Sequence, residues 1–341
     1  MRIRSILIGS IAAFVYCAGA SGQTAPSDID AHIAKAKAAA GLDFRATFVN
    51  LCLPGGFPAG AGRGRAGRGA GSLLTPRPAP DRATWYASPY KVFDNLYWLG
   101  TRQHSSWALK TSAGLVIIDT NFAWATQPEI IDGLTKLGLD PKGIKYVILS
   151  HAHGDHDQGV ATLQSKHGAH VVMGAPDWEA TLKRAPGVAG GVPKRGPEDI
   201  SVGPEGKKLT VGDTTLDIVF TPGHTVGTLS YVFPVKDRGK TVMVAYSGGT
   251  LTGAFGTDAR RWNEYIDSQK RIAAAAQAAG ASVLLSNHSE YDDAYTKARL
   301  VTAKREVGEG NPFIVGPQRV QNYFTVMEEC ATASKLRNGA K

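Results

Sequence analysis

Cysteine is scarce in this chain, which has three cysteines among its 341 residues. So few cysteines exclude a small domain stabilised by many disulfides and a zinc finger built on cysteine ligands. Beyond the amino terminus, the chain also lacks an unbroken run of the ~18 apolar residues that a membrane-spanning helix requires. Hydrophobic residues make up 43% of the chain and charged residues 20%, which excludes a disordered polymer. We therefore expect a soluble globular protein, either an enzyme or a binder of small molecules.

The amino terminus has the pattern of a signal peptide. Two early arginines precede an apolar run over residues 6–15, and small residues follow at 18–20. We predict export with cleavage near Ala20, which places the mature chain in the periplasm or outside the cell with no membrane span. Lipid attachment at Cys17 is the less favoured alternative, because bulky Tyr16 stands where a small residue is expected.

Cleavage would leave Cys52 and Cys330 as an even pair in an oxidising compartment. We expect a disulfide between them, with two buried free thiols as the alternative. Because the bridge would close nearly the whole mature chain, the loop-entropy model assigns it on the order of 5 kcal/mol of stabilisation.

Acidic residues are outnumbered, since 38 Lys and Arg against 29 Asp and Glu give a net charge of +9. Such a charge attracts anions but does not by itself indicate a nucleic-acid partner. Residues 54–82 hold five arginines, eight glycines and five prolines, a composition that predicts a flexible surface loop. The segment resembles an RNA-binding arginine–glycine tract, but we expect no nucleic-acid partner for an exported protein. We expect this loop to have no role in turnover; the alternative is that its arginines attract anionic substrates.

Hydrophobic spacing and turn residues divide the mature chain into an N-terminal helical segment (21–53), the flexible loop (54–82) and one large domain (83–341). In the large domain, short β-forming runs alternate with single helices, which predicts mixed sheets covered by helices. The predicted strands are 90–99, 107–110, 115–118, 145–149, 170–173, 209–211, 216–221, 229–233, 242–246 and 282–285. The predicted helices are 128–137, 160–166, 258–279, 292–306 and 317–336.

Four potential metal ligands lie within the six residues HAHGDH (151–156), directly after a predicted buried strand. In an extended segment His151 and His153 point the same way, so both imidazoles can reach one ion. Gly154 permits a sharp turn, which allows Asp155 and His156 to face a second ion. Zinc suits such a set of imidazole and carboxylate ligands.

Two more histidines follow predicted strands in the same way. His224 lies in TPGHT (221–225) and His288 lies in SNH (286–288). Each stands just past the carboxyl end of a strand, where a sheet brings side chains to a common edge. The six ligands divide into two sets of three, each with an open position for water, and open positions distinguish catalytic from structural zinc.

In their order and spacing, these three motifs resemble those of the metallo-β-lactamase superfamily over residues 90–310. The resemblance implies an αββα sandwich, in which two mixed β-sheets are flanked by helices and the metal site lies along one sheet edge. It assigns His151, His153 and His224 to a first zinc ion, and Asp155, His156 and His288 to a second. Two Zn²⁺ per chain are therefore expected.

Within that superfamily, glyoxalase-type and many lactonase-type members carry a metal-bridging Asp after a strand between the last two histidine motifs. The corresponding strand here ends in Ser247-Gly248-Gly249-Thr250, with no carboxylate and no cysteine ligand. Ser at this position, with His after the motif Asp, is similar to subclass 3 of the class B β-lactamases. Asp119-Thr120-Asn121 departs from the more usual Asp-Thr-Gly. We expect Ser247 and His104 to contact the substrate.

The ligand set predicts hydrolysis by a hydroxide that two zinc ions share, because zinc coordination lowers the pKa of water from about 16 to about 7. Asp155 is the predicted catalytic residue, since it can bind the second zinc and orient that hydroxide. Three hypotheses remain open: a zinc β-lactamase acting as a monomer on small-molecule antibiotics, a lactone or ester hydrolase with incidental β-lactam turnover, and a non-catalytic zinc-binding scaffold. The fold by itself does not choose among these substrates.

Overall fold

The computed structural model describes residues 27–53, 78–185, 187–250, 255–303, 305–306 and 308–340. The predicted signal peptide and most of the arginine-rich tract lie outside the described residues. Within these ranges, no helix combines the length and the apolar composition that crossing a bilayer requires.

One sheet contains seven strands, and strands that follow one another along the chain are also neighbours in the sheet. The first four strands pair antiparallel, whereas the last four pair parallel, so the sheet is mixed. The strands are β1 (Tyr90–Lys91), β2 (Leu96–Trp98), β3 (Trp107–Thr111), β4 (Gly114–Ile118), β5 (Ile144–Ile148), β6 (His170–Gly174) and β7 (Ile200–Val202).

The second sheet contains five strands in the order β12-β11-β10-β9-β8. Only the edge pair β11–β12 is parallel, so this sheet is mixed as well. Its strands are β8 (Lys207–Val211), β9 (Thr214–Phe220), β10 (Leu229–Asp237), β11 (Lys240–Ser247) and β12 (Val283–Ser286).

The sheets pack face to face, and helices cover both outer faces. Successive strand residues point to opposite faces, so Ile118 joins the core between the sheets while Ile117 packs under the helices outside the first sheet. In the second sheet, Tyr246 faces the central core and Ala245 faces the outer helices. This arrangement confirms the predicted αββα sandwich.

The helices lie in three groups. Four pack with the first sheet or its loops: α4 (Ala123–Ala125), α5 (Asp132–Lys136), α7 (Val160–His167) and α8 (Ala175–Leu182), with a π-helical turn (Thr126–Ile131) joining the first two. Four cover or flank the second sheet: α1 (Asp28–Ala40), α2 (Arg45–Cys52), α9 (Ala259–Ala278) and α12 (Pro317–Arg337). The remaining helices are short connections: α3 (Arg82–Trp85), α6 (Gly154–Asp157), α10 (Ser289–Asp292) and α11 (Ala294–Leu300), together with a 3₁₀ turn (Pro141–Gly143).

Two predicted elements were wrong in extent. Residues 90–99 form a hairpin of β1 and β2, in which Tyr90 pairs with Trp98, because the turn-forming residues Asp94 and Asn95 interrupt the strand. The predicted helix at 292–306 is shorter, since Asp293 has a left-handed backbone (φ 58°), α11 begins after it at Ala294, and α11 ends at Leu300. Strand β7 and helix α8 were not predicted; they lie in or next to a segment rich in glycine and proline.

The amino-terminal helices pack against the last helix. Cys52, at the end of α2, forms a disulfide with Cys330 in α12, which confirms the predicted bridge. Both cysteines are fully buried within the apolar cluster outside the second sheet, next to Phe48 and Met327. The bridge joins positions 278 residues apart.

We expect the double variant C52S/C330S to lose about 2–5 kcal/mol of unfolding free energy, because the unfolded chain is no longer cross-linked. Urea unfolding measures this loss, and reducing the parent protein is expected to produce a similar shift. Two titratable thiols in the denatured, unreduced parent would contradict the bridge.

Candidate metal centre

The six predicted ligands meet at one edge of the sandwich because each follows the carboxyl end of a strand. His151 comes three residues after β5, His224 four residues after β9, and His288 two residues after β12. His153 precedes the single turn of α6, which carries Asp155 and His156. Three sequence-distant segments thus deliver their side chains to one place.

The first set consists of His151, His153 and His224. The Nε2 atom of His224 lies 3.2 Å from Nε2 of His151 and 3.1 Å from Nδ1 of His153. Zn–N bonds of 2.0–2.1 Å in a tetrahedron place ligand nitrogens about 3.3–3.4 Å apart. The observed separations of the three nitrogens are close to this spacing, so the first set fits one zinc ion.

The second set consists of Asp155, His156 and His288. Oδ2 of Asp155 lies 3.4 Å from Nε2 of His156 and 3.5 Å from Nε2 of His288. The two imidazole Nε2 atoms are 3.1 Å apart. The donor atoms of His151 also lie within 4.8 Å of those of Asp155 and His156, so the two sets adjoin.

Contacts with groups outside the two sets fix which imidazole nitrogen faces inward. Nδ1 of His151 lies 3.0 Å from the carbonyl oxygen of Gly248. Because a carbonyl oxygen only accepts, Nδ1 carries the proton and Nε2 keeps a free lone pair for a metal. Nδ1 of His156 lies 3.2 Å from Oδ2 of Asp119, an ion-pair contact that leaves Nε2 of that ring on the side of the second set.

Asp119 and Asp177 are buried carboxylates that sequence analysis did not assign to the site. Asp119 follows β4 and accepts hydrogen bonds from the backbone N–H and hydroxyl of Ser150 and from the hydroxyl of Tyr246. Asp177 joins two ligand loops, because it accepts from the N–H of Ala152, the hydroxyl of Thr225 and the N–H of Gly227. The sequence could have pointed to Asp119, because that residue follows the carboxyl end of a strand. No sequence feature pointed to Asp177.

Burial and crowding set the charges of the ligands. Burial, reinforced by the neighbouring imidazoles, lowers the pKa of His151 and His224 well below the ordinary value, so both rings are neutral and able to bind a metal. Burial alone would raise the pKa of Asp155, but the nearby imidazoles, His156 above all, hold it well below its usual range. Burial alone would lower the pKa of His156, yet Asp155 and Asp119 raise it to about 10. Metal binding at such a position releases the imidazole proton.

The two predicted substrate contacts lie in different surroundings. His104 is buried beside the second set, with its Nε2 3.5 Å from Oδ2 of Asp155. Ser247, at the end of β11, is 1% exposed and lies beside Tyr323 of α12, on the side that faces the helices.

We expect Ser247→Ala to retain the metal content of the parent and most of its hydrolytic activity, because the hydroxyl lies under α12. The variant is expected to lose about 1 kcal/mol of stability from a buried polar contact. Elemental analysis and thermal unfolding measure the two effects. Release of one ion would overturn the ligand assignment.

Comparisons with known proteins place the chain near one superfamily of hydrolases. The family model of the metallo-beta-lactamase superfamily matches residues 99–238. Hydroxyacylglutathione hydrolases of Bradyrhizobium sp. (strain BTAi1) and Rhodopseudomonas palustris (strain BisA53) are 29% and 28% identical, over 56% and 62% of this chain and 72% and 80% of theirs.

Solved structures with this fold include metallo-β-lactamases. BJP-1 of Bradyrhizobium japonicum, a subclass B3 metallo-β-lactamase, is 28% identical and superposes with a TM-score of 0.60 over 76% of this chain and 97% of its own. FEZ-1 of Legionella gormanii, at 22% identity, has a TM-score of 0.64 over 78% of this chain and 100% of its own, which supports the fold alone.

Proposed function

This chain belongs to the metallo-β-lactamase superfamily, and from that premise we propose that it is a zinc hydrolase that opens the ring of β-lactam antibiotics. The choice of a β-lactam as the substrate rests on the residues at the end of β11. The residues there are Ser247, Gly248, Gly249 and Thr250, so no carboxylate is available to bridge two ions as in glyoxalase-type members. The similarity to BJP-1 supports the same choice.

The donor set fits two zinc ions, which would supply an activated water and polarise the scissile carbonyl. His151 and His156 are buried, whereas His153 is exposed and Asp155 and His288 are partly exposed. The substrate therefore approaches over the side of His153 and Asp155. Asp155 is the catalytic residue of this proposal, because its carboxylate accepts a hydrogen bond from the attacking water and so directs it.

An aromatic row leads from the second set towards the surface. The ring of Phe122 contacts His104 edge-on at 5.1 Å and stacks on Trp124 at 4.9 Å, and Trp124 packs against Trp85 at 4.6 Å. All three aromatic side chains of the row are partly exposed. We assign this row to the apolar substituent of the substrate, since aromatic faces bind apolar groups and amide planes.

A thioester, lactone or ester hydrolase is the second candidate. It is favoured by the hydroxyacylglutathione hydrolases, whose similarity extends over more than half of this chain. A non-catalytic scaffold is disfavoured, because zinc binding alone needs neither two adjoining sets nor the open position that the three ligands of the first set leave. We further propose that the protein is exported to the periplasm and acts as a monomer on a small-molecule substrate, in keeping with its predicted signal peptide.

Steady-state assays with a penicillin, a carbapenem, a homoserine lactone and a hydroxyacylglutathione thioester separate these candidates. We expect the highest kcat/KM for a β-lactam and loss of turnover after treatment with a chelator, with recovery when zinc is restored. Preference for the thioester or the lactone would select the second candidate. Absence of turnover of all four by the zinc-loaded protein would select the scaffold.

A further inference from the structure

His104 is a seventh potential ligand that the two sets leave unused. It lies in the turn between β2 and β3, and its backbone forms an isolated antiparallel bridge with His288. Hydrogen bonds of 2.9 Å from Ser105 N–H to the carbonyl of Asn287, and of 2.7 Å from Ser289 N–H to that of Gln103, join the two segments. The backbone of His104 is therefore held in register with that of a metal ligand.

The side chain of His104 takes up the same spacing as the assigned ligands. Its Nε2 lies 3.5 Å from Oδ2 of Asp155. Nε2 of His288 lies at the same distance from that oxygen. The donor atoms of His104, Asp155 and His288 all lie within 4.8 Å of one another. A separation of 3.5 Å exceeds the usual N–H···O range of 2.7–3.2 Å, whereas it is close to the spacing of two donors that share one zinc ion.

The surroundings of His104 hold the ring in one orientation. Nδ1 lies 3.3 Å from the hydroxyl oxygen of Thr101, which also accepts the backbone N–H of His104 at 2.9 Å. Phe122 packs edge-on against the ring, and the residue is 7% exposed. The contact of Nδ1 with the Thr101 hydroxyl directs Nε2 towards Asp155, on the side of the second set.

We propose that His104 is a fourth protein ligand of the second ion, alongside Asp155, His156 and His288. This inference rests on the two-ion assignment of the proposed function but not on the identity of the substrate. It makes the two ions unequal: the first keeps three protein ligands and an open position, whereas the second is enclosed by four. Of the two sets, only the first would then leave a position for water, and the second would hold Asp155 in place.

Metal binding tests this proposal without any assay of turnover. The variants are His104→Ala and the larger His104→Gln, with His170→Gln as the control, since His170 lies on β6 and pairs with Glu198 at 2.9 Å. Each protein is equilibrated with zinc against a graded chelator, and bound zinc is measured per chain. Cobalt-substituted samples are compared by their ligand-field absorption, which reports the number and type of ligands.

We expect both His104 variants to bind one of their two ions at least 10-fold more weakly, with a changed cobalt spectrum, while His170→Gln matches the parent. Unchanged affinity for both ions and an unchanged spectrum in His104→Gln, folded by circular dichroism, would overturn the proposal. Asp155→Ala shows whether the two-ion assignment, rather than the role of His104, is at fault. If Asp155→Ala also keeps both ions, the two-ion assignment itself is wrong. A parent that binds metal as expected but does not hydrolyse β-lactams would contradict only the proposed substrate.

Discussion

Asp155→Ala is expected to release one of the two ions and to lower kcat/KM on the order of 10³-fold. Oδ2 of Asp155 lies within 3.4–3.5 Å of Nε2 of His156, His288 and His104, so one carboxylate supplies the negative charge that these imidazoles surround. A metal ion contributes several kcal/mol of transition-state stabilisation, and each 1.4 kcal/mol corresponds to a factor of ten in rate.

Metal content by elemental analysis and steady-state kinetics measure the two effects separately. Asp155→Asn keeps the size of the side chain but removes its charge, and we expect it to lose most of the activity as well. Asp132→Ala is the matched control, because Asp132 is an exposed carboxylate of α5 that bonds only to Gln127 among the contacts described. Full activity with two bound ions in Asp155→Ala would remove this residue from the mechanism.

Asp119→Asn is expected to weaken metal binding 10–100-fold through the ring of His156, the magnitude typical of residues that orient metal ligands. The Asp119 side chain is fully buried and receives Ser150 N–H at 2.7 Å, the Ser150 hydroxyl at 2.8 Å and the Tyr246 hydroxyl at 2.8 Å. The amide retains one acceptor oxygen, but it lacks the negative charge that stabilises the imidazole. Asp119 is therefore a positioning residue.

Asp119→Ala is expected to be more severe, with a loss of about 3–5 kcal/mol of stability, since it leaves several buried groups without their partner. The backbone at Asp119 is also left-handed (φ 59°), a conformation that Asp adopts more readily than Ala. Tyr246→Phe removes a single one of these bonds and is expected to cost about 1 kcal/mol. Zinc titration with a competing chelator distinguishes positioning from folding: equal zinc affinity in Asp119→Asn and the parent would assign Asp119 a structural role alone.

The convergence of the six candidate ligands could be predicted from sequence because their chemistry and their position are both local. HAHGDH places four ligand side chains within six residues, and each of the other two histidines follows a strand that hydrophobic spacing identified. Any sheet that brings those strand ends together brings these six side chains together. The αββα layers followed from the alternation of strands and helices together with the family resemblance, and the structure confirms them.

The tertiary structure alone decided what surrounds those ligands. His104, Asp119 and Asp177 lie 51, 36 and 22 residues from Asp155 in the sequence, and no local pattern places any of them beside the six candidate ligands. Only the bridge between the turn after β2 and the His288 segment places His104 beside Asp155. Likewise, only the packing of α12 on the second sheet buries Ser247 beside Tyr323. Local propensity determines whether a segment is a strand or a helix, whereas pairing between distant segments determines which side chains meet.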